Sequence, residues 1–324
     1  MKFVCRALAA FLLLVTVLSA VGCAAADKTV LTVDGGALSV RYDFYRYVVL
    51  SLRDELTASD PAFGSGDGDA EKLTAETFRA IRQYYAVLSL AAEYGIEADS
   101  PAVRQGAADE RTTAVKNCGG EDAFRKMLAE RHMTEDVFSF LATSSAMQNE
   151  LYYKLLDGHI FETDDDALRA IFASDEVIRV KQVLIDPSRY ESREQALAVA
   201  GLVRDEAVAG ADFDTLVNTY GADLFMFHNP DGYYLMRGVW YKAFEEAAFA
   251  LPIGDVSDII ETPAGFSILT RLEKSQSYLD GHFEDLKEDY YDASFSRVLE
   301  ARAEAITVET TDFYEKHLPE SITD

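Results

Sequence analysis

Positive charge, cysteine and long apolar runs are all scarce in this chain, and each scarcity closes off a class of protein. Against 56 Asp and Glu stand only 30 Lys and Arg, a formal charge of −26 over 324 residues. A surface of that sign repels nucleic acid and anionic lipid head groups. It leaves apolar or basic polypeptides, small molecules or cations as partners. The amino-terminal apolar run, Ala7 to Gly22, is shorter than the about 20 residues a membrane span needs, and it stops abruptly. Of the 3 cysteines, Cys5 lies just before that run and Cys23 directly after it, so Cys118 has no partner for an internal disulfide in the body of the chain. Cys118, in "KNCGG", also has no histidine near it in sequence, which argues for a helix-end or turn residue and against a nucleophile.

Lys2 and Arg6 precede the apolar run, the order of a secretory signal over residues 1–22. The run closes on "AVGC", which resembles the lipobox of bacterial lipoproteins, with Ala20 where leucine is usual. That resemblance implies cleavage before Cys23 and lipid attachment to it. Two acyl chains, at about 0.8 kcal/mol per buried methylene, hold a protein at a membrane stably. Loss of Lys2 and Arg6 with the leader takes the formal charge from −26 to −28.

The rest reads as globular, with 49% hydrophobic residues, enough for two domains. "TVLTVDGGALSVRYDFYRY" predicts a short strand, a turn at Asp34-Gly35-Gly36 and a helix from about Ser39. Gly, Ser and Asp mark a loop over 59–70, in which Asp67 and Asp69 lack the ligand spacing of a calcium loop. From Thr74 a helix follows, with Phe78, Ile81, Tyr85, Leu88 and Ala92 on one face, stopping near Gly95; another begins at Pro101. A helix through Leu128 then leads to a long one capped by Thr134, with Val137, Phe140, Leu141, Leu151 and Leu155 inward, and His132 at the join reads as a surface residue. "TDDDALRAIF" is a short helix begun by Thr163 or Asp164, whose carboxylates suit the positive end of the helix dipole.

Near residue 175 the pattern changes to a compact mixed unit: a strand, two helices, a strand-like loop, another helix and two strands in about a hundred residues. A long helix carrying Tyr291, Phe295, Val298 and Leu299 on one face follows, then an alternating piece around Ile306 and Val308. Val30 to Val33 is the natural partner for that last strand. The middle unit is then inserted into a helical domain built from both ends.

"VKQVLID", "GADFDTLVNTYGAD" and "FEEAAFALPIGDVSDIIETPAGFSILTRLE" resemble a parvulin-type peptidyl-prolyl isomerase domain. "LTVDGGALSVRYDFYRY", "GGEDAFRKMLAERHMTEDVF" and "FEDLKEDY" resemble the chaperone domain of PrsA-type foldase lipoproteins and the related SurA proteins. The resemblance implies an α+β protein: a leader at 1–22, a mostly helical chaperone domain from 23–175 and 276–324, and an inserted parvulin-like domain at 176–275 with a small antiparallel or mixed sheet flanked by helices. It implies unfolded secreted polypeptides and X-Pro segments as partners, a position outside the cytoplasm on the lipid anchor at Cys23, no nucleic acid, no metal or other cofactor, and scope for a homodimer. It also places the family's hydrogen-bonded cluster: the two histidines fall on Gln182 and Ser267, and the Cys or Asp on Asp223 and Leu224, so both imidazoles are missing. For the proline pocket it points to Leu224, Tyr234, Trp240 and Phe244.

The residues support a structural reading of that cluster. Gln182 shares a strand face with Ile178, Val180 and Leu184, so it points inward, where an unpaired amide costs about 1–3 kcal/mol. Ser267 is the expected partner, and donation by Gln182 to a substrate amide is the functional alternative. Trp240 and Phe244, four apart on an expected helix, are either pocket or plain core. His228 reads as exposed. Three functions compete: a foldase or holdase with weak or lost isomerase activity, an active isomerase working through the pocket alone, and an extracytoplasmic solute-binding lipoprotein. The last needs a repeated βα alternation that the chain lacks.

Overall fold

The computed structural model describes residues 28–60, 62–229 and 231–323; the expected leader and Cys23 lie outside them. In chain order the elements are β1 (Thr29–Val33), β2 (Leu38–Arg41), α1 (Tyr42–Ser59), α2 (Asp69–Glu93), α3 (Pro101–Cys118), α4 (Glu121–Glu130), α5 (Glu135–Asp157) and α6 (Asp165–Ala173). Then come β3 (Ile178–Ile185), α7 (Arg193–Val208), α8 (Phe213–Tyr220), α9 (Leu224–His228), β4 (Tyr233–Leu235), α10 (Lys242–Ala250), β5 (Ile260–Thr262) and β6 (Gly265–Leu272). The chain ends with α11 (Gln276–Gly281), α12 (Phe283–Ala305) and β7 (Val308–Thr310). The class is α+β: helices predominate, and the strands form two small antiparallel sheets. No helix of the described residues is long and apolar enough to cross a membrane.

The first sheet runs β2-β1-β7 and joins the two ends of the chain, Val33 lying opposite Val308 and Leu31 opposite Thr310. Val30, Leu31, Val33 and Val40 bury their side chains against Phe44 and Tyr45 of α1 and Ile81 and Tyr85 of α2. Helix α1 begins at Tyr42, later than the expected start near Ser39. Left-handed backbone at Asp34, Gly35 and Gly36 reverses the chain, and Leu38–Arg41 pairs back onto β1 before the helix begins. Alternation over four residues was too short a signal against the helical run that follows it.

Helix α2 starts at Asp69, earlier than Thr74, because the Asp69 carboxylate fastens the Gly-rich loop: Oδ2 accepts from Gly64 N at 2.7 Å and Gly66 N at 2.8 Å. Its expected inward residue Ala92 is exposed, and Ala91 is buried instead against Val103 of α3 and Met147 of α5. His132 is only partly exposed and meets Asp54 at 2.9 Å, so the surface reading holds in part. Cys118 closes α3, whose end is sealed by Gly119 at φ +91°. Thr134 caps α5 and Asp164 caps α6, as their positions predict.

The carboxyl-terminal segment is held by charged and phenolic donors. Arg53 donates to the carbonyls of Ile322 at 2.5 Å and Pro319 at 2.7 Å, and Tyr45 Oη donates to His317 O at 2.9 Å. Arg302 of α12 reaches Ser89 of α2 and Asp34 of the hairpin, which ties the last long helix to the first sheet.

The second sheet runs β4-β3-β6-β5, with both broad faces covered. On one face Ile178, Val180 and Leu269 pack against Phe244 and Ala248 of α10. On the other, Val183, Ile185, Phe266 and Ile268 pack against Ala196, Ala200 and Val203 of α7 and Leu216 and Val217 of α8. Where the chain enters and leaves this sheet, Arg271 meets Asp175 at 3.2 Å and Lys274 Nζ donates to Phe172 O at 3.0 Å.

Tyr45 and Tyr85 are buried phenols, and burial, aided for Tyr45 by Tyr314 and Glu320 and for Tyr85 by Asp43, pushes both well above the ordinary tyrosine value. A raised folded-state value means stability that is full below about pH 10 and drains away as pH climbs past the unfolded phenol's titration. Urea midpoints of the full chain between pH 7 and 11 should therefore fall above pH 10. Tyr45→Phe should cost about 1 kcal/mol at pH 7 through its lost bond to His317 O and should make the alkaline fall shallower. An unchanged alkaline slope in that variant would show that Tyr45 is not a source of it.

Candidate functional site

Antiparallel pairing sets Gln182 opposite Leu269 and Leu184 opposite Ser267. Gln182 and Ser267 thus share the α10 side of the sheet as diagonal neighbours. Both are buried, at 5% and 2% exposure. Ser267 Oγ donates to Gln182 Oε1 at 3.2 Å, and Gln182 Nε2 donates to Asp223 Oδ2 at 2.5 Å. Tyr233 Oη donates to the same Oδ2 at 2.5 Å. The other carboxylate oxygen accepts Phe225 N–H at 2.9 Å and so caps α9. One carboxylate gathers β3, β4 and α9, and the Gln182 amide carries the link on to β6.

The members of this cluster bond to one another across three elements of the sheet region. Burial, reinforced by the hydrogen bond to Asp223 and its negative charge, pushes the Tyr233 phenol far above its usual range, so it stays protonated and donating. Gln182 and Ser267 have no proton to exchange near neutrality, and both ends of the Gln182 amide are engaged. Bonds to an ionised carboxylate are about twice as strong as neutral ones.

Above the cluster stand aromatic rings. Phe225 stacks on Tyr233 with centroids 4.6 Å apart, Tyr233 meets Trp240 edge-on at 4.6 Å, and Trp240 lies flat on Phe244 at 4.9 Å. Around them the exposed apolar side chains Leu224, Phe227, Val239 and Tyr241 leave α9 and the turn before α10 unusually greasy.

The structure joins Gln182, Asp223 and Ser267 in one network and moves several other expected positions. Tyr234 pairs with Arg179, while Tyr233 pairs with Val180; strand alternation therefore sends Tyr234 to the opposite face, where it stacks on Tyr278 at 4.2 Å. Tyr233 takes its place at the site. Leu224 is 69% exposed, and it is the next residue, Phe225, that reaches the rings. Trp240 precedes α10 and is not part of it; Tyr241 is the residue before the helix. Phe244 is 1% exposed under the Trp240 indole, so it cannot touch a peptide in this conformation. His228 is exposed. Among the described residues no group of three or more His, Cys, Asp or Glu is placed to hold a metal ion.

The sequence pattern singles out neither Tyr233, Phe225 nor Glu245. Tyr233 needed the β3–β4 register, and a register is invisible until the sheet exists. Glu245 looks like any helical carboxylate, yet it is buried, and its Oε1 accepts backbone N–H groups from Gly238, Val239 and Trp240. Two hollows lie elsewhere: a groove of about 840 Å³ between the ends of α2, α3 and α5, and one of about 250 Å³ beside Arg179 and Arg271, neither lined by any of the cluster residues.

Residues 177–273 match the family described as Rotamase, PPIC-type PPIASE domain. The peptidyl-prolyl cis-trans isomerase Pin1 of Malus domestica is 36% identical over 92 residues, covering 26% of this chain and 69% of that protein. The foldase protein PrsA of Staphylococcus aureus strain MRSA252 is 25% identical over 156 residues, 48% of each chain; the chain thus spans about half the length of that relative. Among solved structures, the peptidylprolyl isomerase PrsA from Bacillus anthracis shares 18% identity over 76% of this chain and 94% of that one, with a TM-score of 0.32. By the stretch that carries β3 to β6, the chain belongs to the parvulin-type peptidyl-prolyl cis-trans isomerase family.

Proposed function

We propose that this protein is a foldase of the PrsA type that binds unfolded secreted polypeptides outside the cytoplasm, and that its isomerase unit is weak or inactive. The observation that carries the reading is the hydrogen-bonded centre of the second sheet. Where the family resemblance expects two imidazoles, Gln182 and Ser267 close on each other and on Asp223, and the Phe244 ring is covered. Turning an X–Pro bond means crossing about 18–20 kcal/mol, and a site lowers that barrier by gripping the proline ring and placing donors where the twisted amide gains from them. Here Asp223 takes one N–H of the Gln182 amide and the Ser267 hydroxyl donates to its oxygen, so the residues at the two expected imidazole positions are turned toward each other and Asp223. Chain binding asks less: exposed apolar rings on α9 and an acidic surface suit apolar and basic segments.

The domain division follows the same reading, with residues 176–275 as the isomerase unit inserted into a helical domain formed by 23–175 and 276–324. The "AVGC" motif supports lipid attachment at Cys23 and a place on the outer face of the cell membrane.

Two measurements test the proposal. Exchange spectroscopy on an Ala-Pro-containing peptide with the full chain should give no rate above background, while stoichiometric protein suppresses light scattering by a refolding client; catalysed exchange would instead establish an active isomerase. Gln182→Leu should lower stability by about 1–3 kcal/mol in urea, because it leaves the buried Ser267 hydroxyl and part of the Asp223 carboxylate without partners, and should leave client binding intact. A loss of client binding at unchanged stability would give Gln182 a direct role with substrate.

A further inference from the structure

Glu245 is a buried carboxylate with an unusual task. Its Oε1 accepts the N–H groups of Gly238 at 2.8 Å, Val239 at 3.0 Å and Trp240 at 2.8 Å. Three successive amides converging on one anionic oxygen make a strong, charge-assisted clamp. The far side of the same turn rests on α12: Gly238 has φ +101°, and a β-carbon there would sit 2.7 Å from Arg297 Cγ and 2.9 Å from Ala293 O. The clamped turn delivers Trp240, the chain's single tryptophan, flat onto Phe244 and edge-on to Tyr233. Without the indole, those two rings would line an open apolar recess beside the Asp223 network.

We propose that Trp240 is a built-in plug for that recess, and that Glu245 is the positioning residue that latches it shut. The inference rests on the reading of this sheet as a parvulin-type unit and adds a state to it: the unit is closed to a proline ring because its own tryptophan occupies the place. The turn is also where the isomerase unit touches α12, so a shift of that helix acts directly on the latch. Opening requires only that the 238–240 turn lift from Glu245; the Gln182–Asp223–Ser267 network stays as it is.

The test uses the full chain and the emission of Trp240, with the tetrapeptide Ala-Ala-Pro-Phe as probe. Glu245→Ala should shift the emission to longer wavelength and raise acrylamide quenching, and Glu245→Gln should restore most of the parent spectrum because its amide oxygen still accepts. If the latch holds the open state at or below roughly one part in ten, release should tighten peptide binding about tenfold. Trp240→Ala should give the same gain by itself, and adding Glu245→Ala to it should give no more. Parent-like emission in a folded Glu245→Ala protein overturns the latch. Should that variant fail to fold, the Trp240→Ala arm decides the plug: no gain in peptide binding overturns it. An emission shift in Glu245→Ala with no peptide binding in either variant keeps the latch but removes the proline recess, which identifies the failure as that of the functional reading.

Discussion

The second sheet depends on one carboxylate being satisfied. Asp223 lies where β3, β4 and α9 meet, and its two oxygens are shared among a side-chain amide, a phenol and a backbone N–H. Asp223 is half-buried, and the three donors around it tie it into the junction of those elements. Gln182 is therefore required where the alternation of β3 asks for an apolar residue, and Ser267 is required in turn to occupy the amide's other end. The chain Ser267–Gln182–Asp223–Tyr233 is a single arrangement with each member justified by the next.

Much of this was legible in the residues. Cap signals at Thr134 and Asp164 lay where helices begin, and the inward direction of Gln182 followed from period-two alternation, as did the need for a partner. The pairing of Val30 to Val33 with the last strand followed from two alternating apolar pieces at the ends of the chain. What stayed hidden depended on register or on three-dimensional convergence. Tyr233 and Tyr234 differ by one position and are chemically alike, and only the pairing of β4 with β3 decides which faces Gln182. Trp240 and Phe244 four apart imitate a helical face, but the carboxylate at Glu245 draws the preceding turn back so that the rings stack without sharing a helix.

Charge and greasiness are divided in space. The acid excess favours dispersed molecules by mutual repulsion, whereas α9 and the turn before α10 carry Phe225, Phe227 and Tyr241 exposed.

The pairing of β1 with β7 also governs when the molecule becomes complete. Those strands are about as far apart along the chain as two elements here can be, and closing so long a loop is slow compared with forming local structure. During synthesis, the four-stranded sheet has all its strands before residue 308 emerges, while the amino-terminal hairpin waits with one edge unpaired. Maturation of the helical part is thus timed by the last residues to arrive, so a chain stalled before β7 would display a finished middle and an unfinished frame.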